Sequence, residues 1–142
     1  MQPLLATGLF LVCSVTLLPA QTASAALDLR GSTASPGSLL DCSVTARDLQ
    51  EGQVFVLLGF APGSTLMSNG GQTFSVPLGG PLAIVASGTL LADRWDGKAA
   101  VPAIQSLVGL DAWFATVVME PNFGVRVSES VPFGPIIEDS LQ

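Results

Sequence analysis

The sequence predicts an all-β chain: a single antiparallel β-sandwich of about six to eight short strands, preceded by a signal-peptide helix. Three observations carry that expectation. Fifteen Gly and ten Pro recur at short intervals, and each costs a helix interior about 1 to 3 kcal/mol. The segments between them are rich in Val, Ile, Leu and Phe, which suit a pleated, half-buried surface. One segment, Ser38 to Arg47, alternates strictly. Leu40, Cys42, Val44 and Ala46 fall on one side, and Asp41, Ser43, Thr45 and Arg47 on the other, which is the period of a strand buried on one face.

At the N-terminus, Leu4 to Leu18 is an apolar run broken only by Thr7, Gly8, Ser14 and Thr16. Pro19 stops it, and Ala23-Ser24-Ala25 follows. This is the pattern of a secretory h-region with an A-x-A cleavage site, so residues 1–25 read as a signal peptide cut after Ala25. The run is about 15 residues, short of the ~20 that cross a bilayer as a helix, so no membrane span is expected after cleavage. Met1-Gln2-Pro3 departs from the usual leader in carrying no Lys or Arg, which leaves an uncleaved anchor as the rival reading. Cys13 lies inside the apolar run after Val12, the wrong place for a lipoprotein acceptor, and leaves with the leader. Cys42 is then the single cysteine of the mature chain, which forms no internal disulfide and rests on apolar burial. The expected location is secreted or extracytoplasmic, in the periplasm or at the cell surface. Residues 26–135 suffice for one core and one domain.

The elements follow in order. Asp48 to Gln53 turns the chain into Val54 to Phe60, apolar on both faces as a central strand should be, and Ala61-Pro62-Gly63-Ser64 ends it. Ser68 to Gln72 reads as a loop and Thr73 to Val76 as a short strand. After the break Leu78-Gly79-Gly80-Pro81, Leu82 to Ala92 reads as a strand bent or bulged at Gly88. Asp93 to Lys98 is the expected hairpin connection, with Asp96-Gly97 taking positive φ. Ala99 to Ile104 returns, and Pro102 marks it as an edge strand. Leu110 to Met119 is the next strand. The turn Pro121-Asn122-Phe123-Gly124 leads to Val125 to Val131, where Val125, Val127, Glu129 and Val131 oppose Arg126, Ser128 and Ser130. Pro132 and Pro135 interrupt pairing, so residues 136–142 read as a flexible tail.

Several landmarks together resemble a known module. They are Ser35-Pro36-Gly37-Ser38, the strand Val56-Leu57-Leu58-Gly59-Phe60, Leu78-Gly79-Gly80-Pro81, the hairpin Ala92 to Lys98, and Trp113-Phe114-Ala115-Thr116-Val117-Val118. The order is similar to that of small immunoglobulin-like or fibronectin-like β-sandwich modules of secreted bacterial proteins, often found at their C-termini. The resemblance covers roughly Leu27 to Phe133, implies a sandwich fold and implies no catalytic residues. Ser128-Glu129-Ser130 and the late prolines depart from the pattern where a clean final strand would stand.

Composition narrows the chemistry. The chain has no His and no Tyr, 11% charged residues and a net charge of −6. Imidazole catalysis and imidazole metal ligation are excluded. An acidic chain of pI near 4.1 lacks the cationic footprint that neutralises a phosphate backbone, so nucleic acid is not an expected partner. A Ser–Lys nucleophile needs a desolvated amine, but Lys98, the single lysine, sits beside a turn. The chain is therefore not expected to be an enzyme. The carboxylate pairs Asp48 with Glu51, Asp93 with Asp96, and Glu138 with Asp139 fall in turns or the tail, where acids solvate loops and cap N–H groups.

Asp93 and Asp96 also raise calcium as the one candidate cofactor, with Asp111 or Glu120 as further oxygen donors, although two aspartates alone are too few ligands. Cys42 shares a face with Leu40 and Val44, which favours a buried thiol; a Cys42-linked dimer is the alternative to a monomer. Trp113 reads as core. Trp95, at a polar hairpin, and Phe123, in a turn, are the candidate contact residues. The expected function is a non-catalytic secreted or cell-envelope interaction module binding a protein or glycan through loops or an edge strand. The alternative is a carbohydrate- or calcium-binding domain using the Asp93–Asp96 loop and Trp95.

Overall fold

Ten strands and a single 3₁₀ turn, Gln105–Leu107, make up the computed structural model, which describes residues 25–31, 33–69, 71–121 and 124–138. The strands are β1 (Ala26–Arg30), β2 (Leu39–Thr45), β3 (Glu51–Gly59), β4 (Ala61–Asn69), β5 (Gln72–Gly79), β6 (Ala83–Leu91), β7 (Arg94–Ala100), β8 (Asp111–Met119), β9 (Val125–Val127) and β10 (Val131–Pro135). Residues 1–24 of the predicted signal peptide lie outside the described residues. The all-β expectation holds. Eight strands form one sheet in the order β1-β2-β7-β6-β3-β8-β10, with β9 also on β8, and β4 and β5 form a separate ribbon. The eight-stranded sheet curls into a half-barrel.

The strict alternation of residues 38–47 places β2 as expected. Leu40, Cys42, Val44 and Ala46 are all buried, and they share a core with Val54, Val56 and Leu58 of β3, Leu90 of β6, Ala99 of β7, and Phe114 and Val118 of β8. Phe114 meets Phe133 edge-on, centroids 5.9 Å apart. A core drawn from both halves of the sheet is what curls it.

A second core lies on the other side of β3 and β8. There Leu57, Ala115 and Val117 are covered by Phe74, Val76 and Leu78 of β5. Trp113 and Met67 pack on the same cluster, half-buried. This second core explains the main correction to the sequence reading. Residues 61–64 do not end a strand, and Ser68, Asn69 and Gln72 are not loop residues; Ala61–Asn69 and Gln72–Gly79 pair antiparallel, with Asn69 opposite Gln72. Pro62, Gly63 and the serines weaken β propensity locally, but burial of one face of the ribbon outweighs it.

Three further corrections follow. The hairpin between β6 and β7 turns at Ala92 and Asp93, both at positive φ (52° and 64°), the signature of a two-residue primed turn. Asp96-Gly97 is mid-strand, paired with Ser43 and Cys42. The irregularity in β6 falls at Val85, because Val56 pairs with Ala86 and Leu57 with Ile84; Gly88 is in register with Val54. The return strand ends at Ala100, so Pro102 lies beyond it.

The last strand is split. β9 and β10 occupy successive lengths of one edge of β8, and Ser128 bridges the break. Its N–H donates to the Thr116 carbonyl at 3.0 Å, and its hydroxyl accepts the Thr116 N–H at 2.9 Å. Residue 136 does not begin a loose tail. Ile136 is buried, its N–H donates to Leu110 O, and its carbonyl accepts from Gly109. Ile137 N–H donates to Ala34 O.

Candidate functional site

The β6–β7 hairpin positions the most informative surface. Its tip is clamped onto the connection between β2 and β3: Ala92 N–H donates to Gln50 O at 2.8 Å, and Ala46 N–H donates to Asp93 O at 3.0 Å. Beyond the tip the two strands lose their ladder but stay neighbours as far as Gly88 and Gly97. Among the described residues Leu91 with Arg94 is their single ladder pair, after which β6 follows β3 and β7 follows β2.

Trp95 is the wedge between them. It pairs with Val44 on the core-facing side of β7 and packs, half-buried, against the main core. A Cβ placed on Gly88 would lie 2.0 Å from Trp95 Nε1, and one on Gly97 2.3 Å from Trp95 Cζ2. The indole thus fills the space that side chains at both glycines would need. Trp95 is a packing residue across the split rather than a residue displayed at a hairpin tip.

β6 has one edge bonded to β3 and makes no ladder pair on the other from Ala83 to Leu90 among the described residues, although Trp95 and Gly97 of β7 lie beside it at Gly88. An open edge is a template for another strand unless it is blunted by charge, Pro, a bulge or brevity. The other edges of the sheet are blunted. β1 carries Asp28 and Arg30, β7 carries Arg94, Asp96 and Lys98, and β10 carries Pro132, Gly134 and Pro135 with a register shift. By contrast, β6 is nine residues with no charge and no proline. Ile84 and Leu91 on it are 63% and 62% exposed. The neutrality extends further, since no charged residue occurs between Glu51 and Asp93.

Charge collects instead on the outer face of β1, β2 and β7. Asp96 accepts the Ser43 hydroxyl at 2.6 Å, and Arg94 grips both of its carboxylate oxygens at 2.9 and 3.0 Å. Arg30 donates to the Ser43 hydroxyl at 3.0 Å. The Arg94 guanidinium, with the Ser43 hydroxyl next in effect, holds the Asp96 carboxyl down to about 2. Asp41 is likewise lowered by its 2.5 Å bond to Lys98. Lys98 is exposed and paired, not the desolvated amine a Ser–Lys nucleophile needs.

The fold does not bring the predicted site residues together. Asp93 sits at the turn, and Asp96 on the outer face of β7 with both oxygens already bonded. Trp95 between them points to the opposite side, into the core. Glu120 pairs with Arg126 at 2.9 Å, and Arg126 also reaches the Arg47 carbonyl. Among the described residues no three His, Cys, Asp or Glu side chains converge as metal ligands. Phe123 lies outside the described residues. Cys42 is fully buried, burial pushes its thiol up, and cross-linking through it would require the sheet to open. Among the described residues no helix is long and apolar enough to cross a membrane.

The fold defines the class: an antiparallel all-β protein with one curled sheet and a covering ribbon. No family model matches the chain, and no curated protein matches it. Among solved structures it is similar to that of Spo0M, a sporulation control protein from Bacillus subtilis, at 9% identity and a TM-score of 0.38. The match covers 82% of this chain and 49% of Spo0M, so the chain spans about half the length of that protein.

Proposed function

We propose that this chain is an exported, non-catalytic interaction module of the cell envelope that binds a protein partner by adding a strand to the open edge of β6. The single observation that carries the reading is that β6 makes one ladder pair with β7 and carries no charge and no proline from Ala83 to Leu91. Strand addition draws affinity from main-chain hydrogen bonds and specificity from the alternating side chains. The apolar leader supports export. The shared core between β2–β7 and β3–β6–β8 supports kinship with immunoglobulin-like sandwich modules.

Expression of the full sequence in the cell that makes it, followed by fractionation, tests this. Ser87→Lys with Thr89→Lys charges the exposed side of β6 without entering the core. Wild type is expected in the extracytoplasmic fraction, retained on the envelope, and the double variant is expected in the medium. Equal retention of both proteins, or recovery of wild type in the cytoplasm, would overturn the reading.

A further inference from the structure

We infer that the leader is cut from this chain only while β1 is undocked from β2, so that cleavage competes with folding and a copy that folds first keeps its leader. The inference rests on the export reading and names the condition that governs it. The A-x-A pattern places the scissile bond between Ala25 and Ala26. The folded chain leaves no slack there. Ala25 is 8% exposed and belongs to the main core. Ala26 is the first residue of β1, in register with Thr45, and the ladder runs unbroken to Arg30 opposite Asp41. The bond thus joins a core side chain to a ladder residue, with no connecting segment between them.

β1 is also held along its length and beyond. Leu27 and Leu29 pack half-buried against the main core, and Arg30 donates to the Ser43 hydroxyl at 3.0 Å. Past the strand, Ala34 is fully buried and bridges Ile136, and its carbonyl accepts the Ile137 N–H at 2.9 Å. A peptidase needs several residues on each side of a bond extended and free of other partners. A buried, hydrogen-bonded backbone is therefore cut through its open form alone. For Ala25–Ala26 that open form requires β1 to leave β2 and Ala25 to leave the core. The opening is local, because β1 stands at the end of the sheet order with β2 as its single strand neighbour among the described residues. Hydrolysis adds one water across the bond, which releases the Ala25 carboxylate with the leader and leaves an α-amino group on Ala26. The cut chain docks β1 without the Ala25 side chain.

The test uses the full chain made without membranes, so that its leader is intact, with purified signal peptidase in a mild detergent. A peptide of residues 4–31 in the same detergent is the unfolded comparison. New N-termini at Ala26 are counted by mass spectrometry. The native chain is expected to be cut about a hundredfold or more slowly than the peptide. Leu29→Ala leaves residues 23–26 unchanged and removes packing from β1, and is expected to raise cleavage of the native chain about tenfold. Unchanged near-ultraviolet circular dichroism verifies that this variant is folded, and Leu29→Val takes its place should it not be. A native chain cut as fast as the peptide, or a folded Leu29 variant as resistant as wild type, overturns the inference and leaves the export reading standing. A peptide that is not cut at all overturns the export reading, and the inference with it.

Discussion

Gly88→Ala reports directly on the wedge between β6 and β7. The new Cβ would sit 2.0 Å from Trp95 Nε1, whereas dispersion contacts settle near 3.5 Å, so the indole must retreat by about 1.5 Å. It has little room, because Gly97 lies against its other edge and the backbone at residue 88 is held in register with Val54. Overpacking of this kind costs ~1–3 kcal/mol. Replacing Gly also stabilises, by restricting the unfolded chain, by ~0.5–1 kcal/mol. Overpacking wins, for a net loss of about 1–2 kcal/mol, or roughly 3–10 °C in Tm for a domain of this size. The assay is thermal unfolding by near-ultraviolet circular dichroism, run in the wild-type and Trp95→Leu backgrounds. The cost of Gly88→Ala should vanish once the indole is gone, which a double-mutant cycle isolates. A Gly88→Ala protein with unchanged Tm and unchanged tryptophan emission would refute the placement of Trp95.

Three other outcomes follow from the same packing and hydrogen bonds. Ser128→Ala strands the buried N–H of Thr116 and should cost about 2 kcal/mol in urea unfolding; no loss would mean that the hydroxyl does not bridge β9 and β10. Asp96 has its folded pKa lowered from 3.8 to about 2, so its contribution is present above pH 3.8 and is lost as pH falls towards 2. Asp96→Asn should flatten that part of the stability profile, modestly, because the pair is exposed and screened by salt. Cys42 should resist a thiol reagent in the folded protein and react fully in denaturant; rapid labelling of the native state would contradict its burial.

Legibility in the sequence followed how strongly burial, on one face or on both, patterns the residues. β2, β3 and β8 were readable because Leu40-x-Cys42-x-Val44 alternates, and because residues 54–60 and 110–119 are apolar on both faces, as strands covered on both sides must be. β4 was not readable, since its strand character comes from β5 and the second core and not from Pro62, Gly63 and the serines around them. The hairpin was misplaced because Asp-Gly is the stronger turn signal, whereas Ala92-Asp93 adopts positive φ under the clamp from Gln50 and Ala46. The candidate site fell with it: once Trp95 is mid-strand and in phase with Val44, it points inward. The open edge did leave a signal, the charge-free run from residue 52 to 92, whose meaning appears only when the partner edges are known.

Residue-resolved amide hydrogen exchange on β6, at a dilution where sedimentation reports a single chain, tests the open edge most directly. Alternation is the expected result: from Ala86 to Leu90 every second amide exchanges slowly against β3, and those between exchange fast. Uniform slow exchange along Ala86 to Leu90 in the monomer would mean that the edge is already covered, and would contradict the account.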